Sequence, residues 1–170
     1  MLKKNVIVTG GLGFIGSNLI ELLLEKNFQV INVDKISYSS NFYNTKNFKK
    51  NKNYKFYKCD LNNFKKLDSI INKFKPDCIF NLAAETHVDR SIDNPENFIK
   101  SNIIGVYNLL QSFKKYSKRY NKSKLIHIST DEVFGDIKRG RSDEKTAYKP
   151  SSPYAASKAS SDHLVYSYIR

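Results

Sequence analysis

A chain of 170 residues, of which 40% are hydrophobic, is long enough to bury the core of one domain. Its formal charge of +13 allows an anionic partner, but the lysines are spread along the chain without a zinc-finger, helix-turn-helix or RNP-like motif, so we expect no nucleic-acid partner. Cys59 and Cys78 lack the spacing of metal ligands, so we expect no metal site and two reduced thiols in a cytoplasmic protein. Glycines interrupt the first apolar run, so we expect neither a signal peptide nor a membrane span.

Short apolar strands alternate with helical patterns along the chain. Strands are predicted at Asn5–Thr9, Gln29–Val33, Tyr54–Lys58, Cys78–Leu82 and Lys124–Ser129. Helices are predicted at Phe14–Glu25, Leu61–Phe74, Pro95–Tyr116 and Tyr154–Tyr168, and long loops at Asn41–Asn53 and Arg139–Arg141. Uniformly apolar strands separated by helices indicate a parallel sheet covered on both faces. We therefore predict an α/β, doubly wound parallel sheet of the Rossmann type, forming one domain over residues 1–170.

A glycine-rich turn, Thr9–Gly16 (TGGLGFIG), lies between the first predicted strand and the first predicted helix. In that context Gly10 permits the tight turn, Gly13 lets the backbone approach a pyrophosphate, and Gly16 lets the helix pack closely on the strand. The start of the helix also supplies N–H groups and a favourable dipole for phosphate charge. The turn therefore predicts a dinucleotide site.

Asp34 and Asp60 follow the second and third predicted strands. The Asp34 carboxylate can accept both adenosine ribose hydroxyls and would repel a 2′-phosphate, which favours NAD over NADP. Lys35 could weaken that preference. For Asp60, contact with the adenine amine and a role as helix N-cap are both open.

Two adjacent acids, Asp131 and Glu132, follow the fifth predicted strand in the segment His127–Asp136 (HISTDEVFGD). Side chains at that end of a parallel strand reach the ligand-binding edge of the sheet. The acids could serve as a catalytic acid and base, or they could cap the next turn.

Tyr154 and Lys158 have Tyr-x-x-x-Lys spacing on a predicted helix, so they share a helix face. An ammonium beside a phenol favours the phenolate and is expected to lower the pKa of Tyr154. The phenol could then take the proton of a substrate alcohol while a hydride leaves.

Together these motifs resemble the extended short-chain dehydrogenases/reductases and, among them, the dTDP-glucose 4,6-dehydratases. The resemblance is carried by Thr9–Ser17, Val33–Ser37, Leu82–Ile92, Ser129–Asp136 and Pro150–Val165. It implies that Tyr154 is the base of the oxidation and Lys158 its partner, that Thr130 contacts the sugar, and that Asp131 and Glu132 are the acid and base of the dehydration.

The resemblance also implies NAD as cofactor and a set of cofactor-binding positions. These are Gly10, Gly13, Phe14, Ile15, Gly16, Asp34, Lys35, Ile36, Ser37, Asp60, Leu61, Leu82, Ala83, Ala84, Glu85, Thr86, Ser101, Tyr154 and Lys158. Thr86 is also expected to contact substrate. The chain departs from the family pattern at Ser101, where a threonine is usual, at Phe134 in place of a tyrosine, and at Ser39-Ser40 in place of Ala-Gly.

The implied activity is that of a hydro-lyase that converts dTDP-glucose into dTDP-4-keto-6-deoxyglucose. Members of this family are roughly twice as long as this chain, so we expect the nucleotide-sugar-binding domain to be missing, NAD binding to be weak and turnover to be low. A homodimer is expected for the full-length protein, through the long helix from Pro95 and the helix that carries Tyr154. Core packing explains the apolar residues of the long helix, Ile103, Val106, Leu109 and Leu110, equally well.

Two alternatives stay open. A UDP-sugar 4-epimerase or decarboxylase would keep the tyrosine and lysine, although an epimerase does not need the acidic pair. A non-catalytic NAD-binding fragment is the other alternative. His87, Asp89 and Arg90 are expected to shape the sugar pocket, whereas His127 and His163 are interpreted as packing or surface residues.

Overall fold

Five short strands form one parallel sheet in the computed structural model, which describes residues 4–137 and 139–169; residues 1–3, 138 and 170 of the predicted domain lie outside it. The strands are β1 (Asn5–Thr9), β2 (Gln29–Asp34), β3 (Tyr54–Lys58), β4 (Cys78–Asn81) and β5 (Lys124–His127). They lie in the order β3-β2-β1-β4-β5, and every neighbouring pair is parallel. The strand order therefore reverses between β1 and β4, where a doubly wound sheet opens a crevice for ligands.

The sheet is buried on both faces because its central strands alternate between two apolar clusters. Val6 and Val8 of β1 point to one cluster, which also contains Ile20 of the first helix. Ile7, between them, points to the opposite cluster with Leu67 and Leu109. This alternation confirms the predicted α/β, doubly wound parallel sheet.

Helices cover the two faces. They are α1 (Phe14–Glu25), α2 (Phe64–Phe74), α3 (Val88–Asp93), α4 (Glu96–Phe98), a π-helix (Ile99–Ile104), α5 (Gly105–Ser117) and α6 (Pro153–Tyr168), with 3₁₀ helices at Phe42–Thr45 and Asp131–Phe134. None of these described helices has the length and apolarity needed to cross a bilayer.

The second helix begins later than predicted, at Phe64 instead of Leu61. The Asn63 side chain caps it by accepting a hydrogen bond of 3.1 Å from the Lys66 N–H. Asp60 instead accepts from the Asn62 N–H at 2.8 Å, which closes a turn before the helix. The prediction that Asp60 could be the helix N-cap is therefore wrong.

The predicted helix Pro95–Tyr116 is a run from Glu96 to Ser117 with a π-helical turn inside it. Val106, Leu109 and Leu110 on this run are each 3% exposed or less within the domain itself. Packing in the core accounts for these residues, and dimerisation stays a prediction.

Candidate active site

A cavity of about 440 Å³ opens at the carboxyl ends of the strands, beside the point where the strand order reverses. The glycine-rich turn forms one wall, and Tyr154 and Lys158 of α6 form another. The predicted cofactor positions that line it are Gly10, Gly13, Phe14, Ile15, Gly16, Asp34, Lys35, Ser37, Asp60, Leu61, Leu82, Ala83, Ala84, Thr86, Ser101, Tyr154 and Lys158. Residues that line it but were not predicted are Val33, Ser39, Ser40, Cys59, Ile128 and Ser129.

The three motif glycines meet different constraints. Gly10 has a φ of +70°, and a β-carbon there would lie 2.8 Å from the backbone of Ala83. A β-carbon on Gly16 would lie 2.4 Å from the Gly10 carbonyl oxygen, so close contact between α1 and the turn requires glycine there. At Gly13 the nearest atom, the Gly10 carbonyl oxygen, would be 3.3 Å away. The fold therefore needs Gly10 and Gly16 more than Gly13, whose missing side chain keeps the cavity wall open.

The start of α1 presents uncapped backbone to this cavity. The N-cap residue of α1 is Gly13, and no side-chain capping hydrogen bond is made there by the residues that the structure describes. The first N–H groups of an α-helix have no partner within the helix. Phe14 and Ile15 in this first turn are 81% and 63% exposed. This end of α1 can accommodate a phosphate group between the glycine turn and the sheet.

Asp34 stands at the cavity wall with both carboxylate oxygens oriented by the protein. Its Oδ2 accepts from the Leu12 N–H at 3.0 Å, and its Oδ1 accepts from the Ile36 N–H and the Ser40 hydroxyl, each at 2.8 Å. Ser40, one of the departures from the family pattern, therefore supports Asp34 through its hydroxyl. The carboxylate is fixed in place while still lining the cavity.

Lys35 is engaged with the opposite side of the crevice. Its ammonium donates to Glu85 Oε1 at 2.6 Å and to the Ser101 hydroxyl at 2.8 Å. Glu85, a predicted cofactor position, is only 6% exposed and does not line the cavity. Lys35 is thus paired with a carboxylate, not free to meet a 2′-phosphate, which argues against the expected weakening of the NAD preference.

Glu85 itself is held by Asn102, a residue that sequence reasoning missed. The Asn102 side chain accepts from the Glu85 N–H at 2.8 Å and donates to the Glu85 carbonyl at 2.9 Å. It also donates to the Ser157 hydroxyl at 2.9 Å. Asn102 is 1% exposed and lies on the π-helix next to Ser101, which does line the cavity. An asparagine within an apolar helical pattern was the signal available in the sequence.

Ile36, another predicted cofactor position, lines a neighbouring depression with Lys58 and Lys66.

Tyr154 and Lys158 lie on the first turns of α6. Ser152 caps this helix by accepting from the Ala155 N–H at 3.0 Å, and Pro153 occupies its first position. Tyr154 is 7% exposed and Lys158 is 4% exposed. The Lys158 ammonium donates to the Ile128 carbonyl at 2.5 Å, which ties α6 to the end of β5.

The Tyr154 phenol is hydrogen-bonded with Thr130, and the Asp131 and Glu132 carboxylates are near enough for their charges to act on it. Burial raises the pKa of the phenol, its hydrogen bond with Thr130 lowers it, and the carboxylates of Glu132 and Asp131 raise it further. The expectation that Lys158 would lower this pKa is wrong for this structure, because the net direction is upward and the ammonium is turned toward Ile128.

Thr130, and neither acid, caps the 3₁₀ helix that contains the acidic pair. Its hydroxyl accepts from the Glu132 N–H at 3.3 Å. Because Asp131 and Glu132 lie within the helix and Thr130 caps it, the interpretation of these acids as caps is wrong; both are exposed. Neither acid lines the cavity, but the charges of both reach the Tyr154 phenol. The site therefore combines a long cavity with a hydroxyl, a phenol and two carboxyl groups at one end.

The remaining polar residues of this region form no metal centre. In residues 4–137 and 139–169 there is no group of three His, Cys, Asp or Glu side chains that could hold a metal ion. Arg90, which was expected to shape the sugar pocket, lies over the Tyr38 ring, 3.9 Å from its centroid.

Comparison with known proteins identifies relatives of this chain. The chain is 43% identical over 181 residues to a dTDP-glucose 4,6-dehydratase from Escherichia coli, a match that covers 97% of this chain and 50% of the relative. A structure of dTDP-glucose 4,6-dehydratase from Bacillus anthracis in complex with NAD is 39% identical, with a TM-score of 0.83 over 97% of this chain and 50% of that chain. The structure of UDP-glucose 4-epimerase from Thermus thermophilus with NAD is 31% identical, with a TM-score of 0.84 over 96% of this chain and 50% of that chain.

The chain thus spans about half the length of the curated relatives it matches. The model of the family described as GDP-mannose 4,6 dehydratase matches residues 7–170, which is nearly all of the chain. The chain belongs to the GDP-mannose 4,6 dehydratase family.

Proposed function

We propose that this chain is the NAD-binding and catalytic portion of a nucleotide-sugar 4,6-dehydratase that acts on dTDP-glucose. The observation that carries the proposal is that the Tyr154 phenol, which lines a cavity of about 440 Å³, is hydrogen-bonded with Thr130 and lies within electrostatic reach of Asp131 and Glu132. Similarity to dTDP-glucose 4,6-dehydratases supports the choice of substrate. The product would be dTDP-4-keto-6-deoxyglucose.

The residues of the cavity fit NAD. The open wall at Gly13 and the uncapped start of α1 suit a pyrophosphate. The fixed carboxylate of Asp34 suits the adenosine ribose hydroxyls. Lys158 and Tyr154 line the other end, where a nicotinamide ribose would lie. When bound, NAD would accept a hydride from C4 of the sugar and return it to C6.

Tyr154 would hold and move the proton of the C4 hydroxyl. Its phenol is buried and hydrogen-bonded with Thr130, so a sugar hydroxyl placed between these two groups would be oriented by both. Lys158 would bind the nicotinamide ribose from its position one helical turn away. Thr86, at the cavity rim, would contact both cofactor and substrate.

Asp131 and Glu132 would carry out the elimination. A ketone at C4 acidifies the C5 proton, so Glu132 as base can remove it. Asp131 as acid can protonate the C6 hydroxyl as it leaves as water. Adjacent carboxyl groups suit adjacent carbons, and both are open to an incoming sugar because both are exposed.

Residues 1–170 would form the NAD-binding Rossmann domain of this enzyme. The relatives are about twice as long, so we place the recognition of the nucleotide outside these residues. A homodimer in the cytoplasm is part of the same proposal and rests on the resemblance.

The test is to extend the chain to the length of its relatives, incubate it with NAD and dTDP-glucose in heavy water, and analyse the sugar by mass spectrometry and NMR. The proposal predicts a 4-keto-6-deoxy sugar, formed by loss of one water, in which solvent deuterium replaces the C5 hydrogen. With UDP-glucose as the alternative substrate, an epimerase would give an isomer of unchanged composition. Such an isomer, or NAD binding without turnover of either sugar, would contradict the proposal.

A further inference from the structure

The buried carboxylate of Asp162 is a polar group that the proposed reaction does not use. Asp162 is 6% exposed and lies on α6, one turn after Lys158 and two turns after Tyr154. These three side chains therefore form a stripe along one face of the helix. A charged group so deeply buried requires a counter-ion or several hydrogen bonds.

Asp162 and Lys158 hold consecutive residues at the end of β5. The Lys158 ammonium donates to the Ile128 carbonyl at 2.5 Å, and the Ser129 hydroxyl donates to Asp162 Oδ2, also at 2.5 Å. The next residue is Thr130, the hydrogen-bond partner of the Tyr154 phenol. The two opposite charges of α6 thus fix the segment that brings Thr130 to the phenol.

The other groups that face Asp162 supply no positive charge. From β5, His127 Nε2 lies 3.6 Å from Asp162 Oδ1, but burial lowers the pKa of His127 to about 4, so the ring is neutral at neutral pH. From the loop before α6, the Tyr148 hydroxyl donates to Asp162 Oδ2 at 3.1 Å; burial, and then Asp162, raise the pKa of this phenol to about 12. In the described residues Lys158 and Asp162 form no direct ion pair; the two opposite charges act on each other from adjacent turns of the same face of α6.

We propose that Asp162 is a positioning residue whose carboxylate is the counter-ion that keeps the buried Lys158 ammonium charged. The same carboxylate accepts the hydrogen bond of the Ser129 hydroxyl, so Asp162 acts both on the charge of Lys158 and on the position of the segment after β5. Burial lowers the pKa of Lys158, and Asp162 opposes that decrease. The inference deepens the proposed function, because Lys158 is the residue assigned there to the nicotinamide ribose.

The direct test is the titration of Lys158 in the protein without cofactor or substrate. Lysine labelled with ¹³C at Cε is followed by NMR against pH, and the Lys158 signal is assigned by its loss in Lys158→Arg. Asp162→Asn keeps the shape and an acceptor for Ser129 but removes the charge. We expect the midpoint of Lys158 to fall by about one to three pH units in this variant. Tyr148→Phe, which removes a neighbouring hydroxyl and no charge, should not lower it.

An unchanged or higher midpoint in folded Asp162→Asn would overturn the proposal. If that variant does not fold, the unaltered protein still provides a test, because the proposal requires Lys158 to titrate above pH 7 there, and a midpoint below neutrality contradicts it. The two proposals fail separately. If the Lys158 midpoint falls in Asp162→Asn but the unaltered protein turns over no sugar, the dehydratase proposal is rejected and the role of Asp162 as counter-ion stands. Where turnover is measured, the alkaline limb of kcat should move to lower pH with the Lys158 midpoint, while KM stays unchanged.

Discussion

Asp131 and Glu132 are neighbours in sequence, yet the proposed reaction requires opposite roles from them. Asp131→Asn removes the acid for the C6 hydroxyl and leaves the Tyr154 phenol and the Thr130 hydroxyl in place. We expect the release of water to slow by about 10²- to 10⁴-fold, the usual contribution of a general acid, while oxidation at C4 is spared. A single-turnover experiment that follows the reduced cofactor by absorbance and the sugar by mass spectrometry separates the two steps.

A matched control for this change is Asp136→Asn. Asp136 is also exposed, follows the same 3₁₀ helix and contacts the Ser151 hydroxyl at 3.3 Å. It should turn over at the original rate. Equal loss of C4 oxidation and water release in Asp131→Asn would show that the assignment of Asp131 as the acid is wrong.

His127 gives the fold a pH dependence of its own. Its Nδ1 faces the Asn81 amide at 2.9 Å, and its pKa falls from 6.5 to about 4 because burial, and then the charge of Lys158, disfavour the imidazolium. The unfolded chain therefore binds more protons than the folded one between those two values. The stabilisation is complete above pH 6.5 and is lost as pH falls through this window, with a slope of at most about 1.4 kcal/mol per pH unit.

Urea denaturation of the protein between pH 7 and pH 4 measures this slope. In His127→Gln, which has an amide that can meet Asn81 but does not titrate here, the slope of unfolding free energy against pH should be smaller by that amount. The same slope in both proteins would exclude His127 as its source.

The sequence predicts the elements of this fold best where local pattern and tertiary contact agree. The β-branched run of β1 and the glycine turn before α1 are specified by neighbouring residues, and their bounds were confirmed without change. The π-helix was missed because a helical period does not reveal one extra residue in a turn. Asn102 and Asp162 were missed for another reason: their partners, Glu85 and Ser129, lie 17 and 33 residues away in sequence.

The glycine turn yields a prediction that separates folding from binding within one element. Gly16→Ala brings a β-carbon against the backbone of the turn, so we expect the free energy of unfolding to fall by about 1–3 kcal/mol. Gly13→Ala meets only the edge of the Gly10 carbonyl and should keep most of the stability, but its methyl group projects where a pyrophosphate would lie.

Thermal unfolding and NAD titration of the two variants check this contrast. Gly13→Ala should weaken NAD binding by about tenfold or more, which is about 1.4 kcal/mol. If Gly13→Ala binds NAD as tightly as the unaltered protein does, the pyrophosphate does not lie against Gly13.

At the scale of the whole molecule, the crevice draws on both halves of the sheet. Asp34 and Asp60 reach it from β2 and β3, whereas Tyr154 and Lys158 reach it beside β4 and β5. A dinucleotide spanning the crevice would connect the two halves and bind only the folded chain. Ligands of this kind stabilise a protein by about 2.7 kcal/mol at a concentration one hundred times Kd.

We therefore expect NAD to raise the Tm of the 170-residue chain, and NADP to raise it much less. The physical reason lies at the adenosine end, where a 2′-phosphate would meet the Asp34 carboxylate while Lys35, the nearest ammonium on that loop, is paired with Glu85. Differential scanning calorimetry at matched concentrations of the two nucleotides measures the difference. Lys35→Met should leave Glu85 without its partner and lower the Tm without nucleotide, yet keep the preference for NAD. Equal stabilisation by both nucleotides would mean that Asp34 does not face the ribose, and the orientation of the cofactor proposed for this crevice would have to be reversed.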